Sequence, residues 1–292
     1  MHVLISRIKT AWRKGKIAAV LFLDIEGAFP NAVLEKLVHN LRKRGIPIKY
    51  IEFVKNMLKN WITTLRFDNY SLDPLTIDNR IGQGDLLSMV MYQFYNADLL
   101  DILEDTNECA LAYVGNMLML VVADTFKEAH QKLENLMSKS GRVAEWSQMH
   151  NSQLEYSKLA LIDFAHRTST QERCAITLPW GELQPVESTK YLGVVLNQQL
   201  NWKAQHAYTI EKGMKWVTQI QRIARPSWGV TPKYTRKLYI GVVLPRILYA
   251  ANIWCTPSHN KHTGSKGKSP AKVMKQFTSI QRSGAIAIMG VL

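Results

Sequence analysis

Cysteine is scarce in this chain and has no metal-ligand spacing. Cys109, Cys174 and Cys255 stand far apart with no CxxC pair, so neither a zinc knuckle nor a disulfide framework is encoded. Buried thiols of a reducing compartment are expected. Long apolar runs are missing too: none approaches the ~20 residues that span a bilayer. The start, Met1-His2-Val3-Leu4, lacks the charged-then-apolar layout of a secretion signal. These absences predict an intracellular protein, nuclear or cytoplasmic, with no membrane partner. Negative charge is missing from one region only. Residues 201–292 carry 15 Lys and Arg against one acid, Glu211, while the first 200 residues carry 22 of each sign, so the net charge of +14 resides in the last third. Folding does not require such a gradient. A surface lying along a phosphate backbone gains affinity from it through counterion release. Nucleic acid is therefore the first partner to consider, with solvated helix faces and a basic tail as the alternative.

What is present is apolar patterning. Apolar residues make up 47% of 292 positions, enough to bury one large core or two modest ones. Val3, Leu4, Ile8 and Trp12 have helical spacing, and "IAAVLFLDI" (17–25) is a buried-strand run with Asp24 at its end. Leu34, Leu37, Val38 and Leu41 predict a helix stopped by Gly45 and Pro47, and Ile51, Val54 and Leu58 predict another. "WITTLRFDN" and "DPLTIDNRI" read as two strands leading into "IGQGD", and residues 86–103 as helical.

The stretch "ALAYVGNMLML" (110–120) reads as a hairpin, its Gly115-Asn116 pair tolerating the positive φ of a tight turn. Thr125-x-x-Glu128 is a capping box for a helix running to about Trp146. "KLALIDF", "CAITLP" and "KYLGVVL" read as strands, and later segments as helices, one begun by Thr231-Pro232 and another near Ala271 after a polar basic loop at 256–270. The expected fold is α+β: a body over 1–200, then a basic helical module over 201–292.

Four segments, in order, resemble the reverse transcriptases of non-LTR retrotransposons. "LFLDIEGAFPNAV" is similar to their first catalytic motif, "IGQGDLLSM" to their glycine-glutamine-glycine motif, "LAYVGN" to their metal-binding hairpin, and "KYLGVVLNQQLNWKAQH" to their primer grip. "LYIGVVLPRILYAANIWC" resembles the region that follows. The resemblance implies a polymerase-type palm, an antiparallel sheet with flanking helices, followed by a thumb-like helical module. It implies RNA-templated DNA synthesis, an RNA and DNA template-primer, deoxynucleoside triphosphates and Mg²⁺. Two such ions some 3.5–4 Å apart would clamp the attacking and leaving oxygens, and magnesium needs hard oxygen ligands, hence aspartates.

On that pattern Asp24 is the first metal-binding aspartate. Gly115 and Asn116 fall where the family has Asp-Asp, so both carboxylates of the hairpin are absent. Glycine offers no ligand, and an asparagine amide neither offsets a dication nor bridges two. Asp124 lies eight residues past Asn116, up to ~26 Å along a strand, and Glu26 would have to turn inward. Phe29 matches the aromatic beneath the incoming sugar; Gln83 and Gly84 match the residues near the template and nascent pair. Lys158 matches a proton donor to pyrophosphate, although a lone lysine there reads more simply as a solvated charge. Tyr191, Leu192 and Gly193 match the primer-grip turn.

Arg80 and Leu86 stand where relatives tend to have glycine and proline. Only 23 residues precede Asp24, where the resemblance implies long fingers, so palm plus thumb is expected. Lys212, Lys215, Arg222, Arg225, Lys233, Arg236 and Lys237 are the candidate backbone contacts. The sequence thus predicts a reverse-transcriptase-family protein with an impaired centre. A non-catalytic RNA- or DNA-binding module, or a retroelement relic, is the alternative.

Overall fold

A computed structural model describes residues 1–77, 81–103, 105–139, 141–166, 171–224, 229–255 and 270–289, without the side chains of Ile77 and 270–276. Arg80, Arg225 and the loop at 256–269 lie outside the described residues. The chain divides into two compact units, Val3–Glu187 and Ser188–Leu292 with Met1–His2. Among the described residues no helix is long and apolar enough to cross a membrane.

The N-terminal unit opens with helix α1 (His2–Arg13) and strand β1 (Ile17–Asp24). Helices α2 (Leu34–Lys43) and α3 (Ile48–Leu58) follow, then short strands β2 (Trp61–Thr63), β3 (Arg66–Phe67), β4 (Tyr70–Ser71) and β5 (Leu75–Ile77). Next come α4 (Leu86–Tyr95), α5 (Ala97–Leu100), the hairpin β6 (Glu108–Tyr113) and β7 (Asn116–Ala123), α6 (Phe126–Ser138) and α7 (Val143–Met149). A 3₁₀ turn (Tyr156–Lys158), β8 (Ala160–Phe164), β9 (Ile176–Leu178) and β10 (Gly181–Leu183) complete it.

The central sheet has four antiparallel strands in the order β6-β7-β1-β8. β1 is apolar from Ile17 to Leu23 because it is flanked on both edges and covered on both faces. Ala19, Leu21 and Leu23 join one core with Leu37, Ile51, Tyr92, Phe126 and Leu133 from the helices. Ala18, Val20 and Phe22 alternate to the other face and are equally buried. There the Trp12 indole of α1 donates to the Phe164 carbonyl at 3.3 Å.

Several expectations meet the structure with corrections. The helix expected over 86–103 ends at Tyr95, where the buried Asn40 amide donates to the carbonyls of Phe94 and Tyr95. That satisfies acceptors a helix end leaves free. The helix expected to reach Trp146 is capped by Thr125, whose hydroxyl accepts from the Glu128 N–H at 3.2 Å. It ends at Ser138, and α7 begins after Gly141, at φ 79°. The expected strand pair at 61–77 is β2 with β5, with the tighter β3–β4 pair inside it. The strand expected from Lys158 starts at Ala160.

The C-terminal unit holds the hairpin β11 (Ser188–Tyr191) and β12 (Val194–Asn197), then α8 (Lys203–Ile223) and α9 (Pro232–Leu238). A π-helical turn (Tyr239–Val243) leads into α10 (Leu244–Ile247), α11 (Ala251–Trp254) and α12 (Pro270–Met289). Pro245, which lacks an N–H, follows that widened turn, as such bulges accommodate a missing ladder bond. Val217 and Ile220 of α8 pack with Tyr239, Val243, Ile247 and Ile280. Gly213 lets Ile247 and Ile280 approach α8 so closely that a Cβ there would lie 3.0 and 2.9 Å from them.

Candidate active site

The β1–β7 ladder runs from Ile17↔Ala123 to Asp24↔Asn116, so Asp24 and Asn116 are direct cross-strand partners. The Ile25 N–H donates to the Gly115 carbonyl at 2.9 Å, fixing the turn over the end of β1. A Cβ on Gly115 would lie 3.7 Å from the Asp24 Oδ1. A side chain at 115 would therefore start beside the Asp24 carboxylate.

The turn's backbone corrects one expectation. The left-handed residue is Val114, at φ 55°, and neither Gly115 nor Asn116. Because Tyr113 pairs with Asn116, Val114 and Gly115 are the two turn residues, and the first takes the positive φ regardless of its side chain. A β-branched residue in that region is strained. The buried Asn96 side chain holds the turn, donating to the Val114 carbonyl at 3.0 Å.

Lys158 is a second correction. Its ammonium lies 2.9 Å from the Asp24 Oδ2 and 2.5 Å from the Glu155 Oε2. The Glu155 N–H donates to the Asp24 carbonyl at 2.9 Å, so the 3₁₀ turn is tied to the end of β1 by backbone as well as by charge. Glu155 first, and then Asp24, raise the lysine pKa above its ordinary value; Lys158 in turn holds the Glu155 carboxyl below the usual range. Lys158 is thus half-exposed yet paired rather than a free solvated charge. Burial, and secondarily the neighbouring Tyr95, push the Tyr92 phenol up, with the Asp24 charge adding to the effect.

The other acids do not complete the site. Glu26 is exposed, its N–H donating to the Gln153 carbonyl. Asp124 lies one residue beyond the opposite end of β7 and pairs with Lys16 at 3.3 Å. Among the described residues no group of three His, Cys, Asp or Glu is placed to hold a metal ion. The donor set present, Asp24 and Glu155 both bonded to one ammonium, does not fit a pair of Mg²⁺ ions.

Phe29 is half-buried, 5.3 Å from the Tyr92 ring, and its carbonyl accepts from the Ile81 N–H at 3.1 Å. That bond joins the loop after β1 to the Gly82-Gln83-Gly84 turn. Gln83 is exposed; Gly82 sits against Trp61, and Gly84 takes φ 103°. Asp85 caps α4, accepting from the Leu87 N–H at 3.3 Å.

In the C-terminal unit, Tyr191 is buried, and Leu192 and Gly193 form the β11–β12 turn at φ 47° and 78°. The Tyr249 hydroxyl donates to the Leu192 carbonyl at 2.9 Å. Lys212, Lys215 and Arg222 lie on α8, and Lys233, Arg236 and Lys237 on α9. Asn96, Glu155 and Tyr92 escape a reading of the sequence. Only Glu155 carries a signal there, its i,i+3 spacing to Lys158.

An antiparallel sheet in which an acid ending the first strand meets the turn of the adjacent hairpin defines a polymerase palm. Residues 2–196 match the family described as reverse transcriptase (RNA-dependent DNA polymerase), and the chain belongs to that family. It is 22% identical over 259 residues to a probable RNA-directed DNA polymerase from transposon BS of Drosophila melanogaster, covering 87% of this chain and 28% of that protein. It is 23% identical over 213 residues to a retrovirus-related Pol polyprotein from the type-1 retrotransposable element R1 of Nasonia vitripennis, covering 72% of this chain and 59% of that one. The chain thus spans 28% and 59% of the length of these two curated relatives. Among solved structures, telomerase from Candida tropicalis, in complex with a TWJ fragment of telomeric RNA, superposes with a TM-score of 0.51 at 10% identity. That match covers 98% of this chain and 42% of the telomerase, and it establishes a likeness of fold.

Proposed function

We propose that this chain is the palm and thumb-like part of a non-LTR retrotransposon reverse transcriptase whose nucleotidyl-transfer centre is silent. The observation that carries the reading is the pairing at the end of β1: Asp24 faces Asn116 and Gly115 on one side and the Lys158 ammonium on the other. Two-metal transfer needs several carboxylates to neutralise the ions. Here Asp24 and Glu155 share a single ammonium from within the chain.

In this reading residues 1–200 are the palm and 201–292 the thumb. Phe29, Gln83 and Gly84 retain the outline of a nucleotide and template site, and Tyr191, Leu192 and Gly193 that of a primer grip. RNA and DNA are the partners. Deoxynucleoside triphosphate and Mg²⁺ belong to the ancestral reaction, and Lys158 serves Asp24 rather than pyrophosphate.

Primer extension on an RNA template with Mg²⁺ and deoxynucleotides tests it. The expected result is no product above a no-enzyme control; clear extension by the unchanged protein overturns the reading.

A further inference from the structure

A groove of about 660 Å³ opens on the C-terminal unit, with Val230, Tyr234, Lys237, Leu238, Gly241 and Val242 in its lining. The last five are spaced i, i+3, i+4, i+7 and i+8, so they share one face of the helical run formed by α9 and the π-helical turn. On the neighbouring face Thr235, Tyr239 and Val243 are buried in the core. The Thr235 hydroxyl reaches the carbonyls of Val230 and Thr231 at 3.1 and 3.0 Å, and the Val230 N–H donates to the Ile223 carbonyl at 2.9 Å. The groove is therefore formed before anything enters it, which lowers the cost of filling it.

Gly241 sits inside the π-helical turn, and nothing in the fold asks for a glycine there. A Cβ on it would meet nothing within 4 Å. Among the described glycines it alone has neither a positive φ nor a neighbour that close. Gly213 and Gly284, by contrast, make room for Ile280 and Tyr239. Glycine within a helix is destabilising relative to alanine, and its use is to let another backbone come close. Widened turns of this kind are frequent at functional sites.

Charge decides the kind of partner. Lys233 and Lys237 are exposed and one helical turn apart, and the Lys237 ammonium lies 5.6 Å from the Tyr234 ring centre. Residues 201–292 hold one acid, Glu211, so a second copy of this unit would bring like charge. We propose that the groove receives an acidic amphipathic helix of a partner protein. Its apolar residues at i, i+3, i+4 and i+7 lie over Leu238, Gly241 and Val242, and its acids face Lys233 and Lys237. From Tyr234 to Val242 the face runs roughly 12 Å, about two turns of such a helix. A nucleic-acid backbone would satisfy the lysines and leave the apolar floor uncovered. The proposal does not depend on the palm being silent, so either can fail alone.

The experiment is fluorescence anisotropy with the full chain and a labelled peptide of about 14 residues, carrying Leu at i, i+3, i+4 and i+7 and Glu on the flanks. A scrambled peptide, a peptide with Lys in place of Glu, and an unlabelled single-stranded RNA of about 12 nucleotides are the comparisons. The acidic amphipathic peptide is expected to bind most tightly. Gly241→Leu should weaken it about 5- to 150-fold, the range for overpacking one contact, while its Tm stays no lower than the parent's. Lys233→Glu and Lys237→Glu should each slow association and reduce its salt dependence; Lys9→Glu, the same change of charge on exposed α1, should do neither. Equal affinity for the scrambled or lysine peptide, no saturable binding below about 1 mM, or unchanged affinity in Gly241→Leu overturns the proposal. So does displacement of the peptide by the RNA when Gly241→Leu weakens the RNA equally, a result that would give the groove to nucleic acid.

Discussion

Lys158 lies 134 positions from Asp24 in sequence, and its ammonium is 2.9 Å from that carboxylate. The same ammonium lies 2.5 Å from the Glu155 carboxylate, so one lysine serves two acids. The 3₁₀ turn that carries Lys158 is fastened to the end of β1 by the Glu155 N–H, which holds the lysine beside Asp24.

Metal dependence follows from this pairing. Thermal unfolding of the unchanged protein should give the same Tm with EDTA as with millimolar Mg²⁺, because no folded-state site gains free energy from the ion. A rise of several degrees on adding Mg²⁺ would mean that a site exists.

Restoring the hairpin acids should create metal affinity. In the double variant Gly115→Asp, Asn116→Asp, the new carboxylate at 115 begins 3.7 Å from the Asp24 Oδ1, once the Ala28 Cβ at 3.3 Å gives slightly. Three acids gathered there repel one another when empty. The variant should therefore unfold at a lower temperature than the parent in EDTA and recover with Mn²⁺ or Mg²⁺. Calorimetric titration should detect divalent binding in the double variant only.

Val114→Asn should stabilise the N-terminal unit. Asparagine tolerates the left-handed conformation that Val114 is forced to adopt at φ 55°. A gain of about 0.5–1 kcal/mol is expected, the relief of strain outweighing a small loss of apolar contact. Urea unfolding at unchanged m-value reads it directly; a lower midpoint would refute it.

Asn96→Ala should loosen the hairpin. It removes the donor to the Val114 carbonyl from a buried position, at a cost of about 1–3 kcal/mol. Hydrogen exchange should increase in β6 and β7 before β1.

Acid should weaken this unit through His150. The side chain is buried, and burial lowers its pKa below 6.5, opposed by the Trp146 carbonyl and Asp98 and assisted by Lys36 and His39. The unfolded chain then binds the proton more readily than the folded one. Stability is full above the ordinary histidine pKa and declines as pH falls through it toward the folded value. The decline in Tm between pH 7.5 and 5.5 should be shallower in His150→Gln than in the parent.

Much of this architecture is legible in the residues. The unbroken apolar run at 17–23 announces a strand buried on both faces, and the helix begun by Thr125 follows from its capping box. The palm sheet follows because such patterns act locally. What escapes are relations across the chain. Asn40 ends α4 from 54 positions away, so helical periodicity over 86–103 overstates one element. The Gly-Asn pair suggests which residues are left-handed, but the ladder register assigns that conformation to Val114. The emptiness of the metal turn is visible at Gly115 and Asn116; the lysine that makes it tolerable is not. Likewise the basic count beyond residue 200 locates charge without revealing that Lys237 and Gly241 line one groove.

The backbone ladder joining β1 to β7 ends at the residue pair where the chemistry would occur, and main-chain bonds and apolar side chains carry the strands themselves. The scaffold is therefore indifferent to what stands at its tip. Substitutions at Gly115 and Asn116 can therefore change the chemistry of the turn without unfolding the strands that carry it. Retention of this fold is accordingly no measure of which side chains stand at that tip.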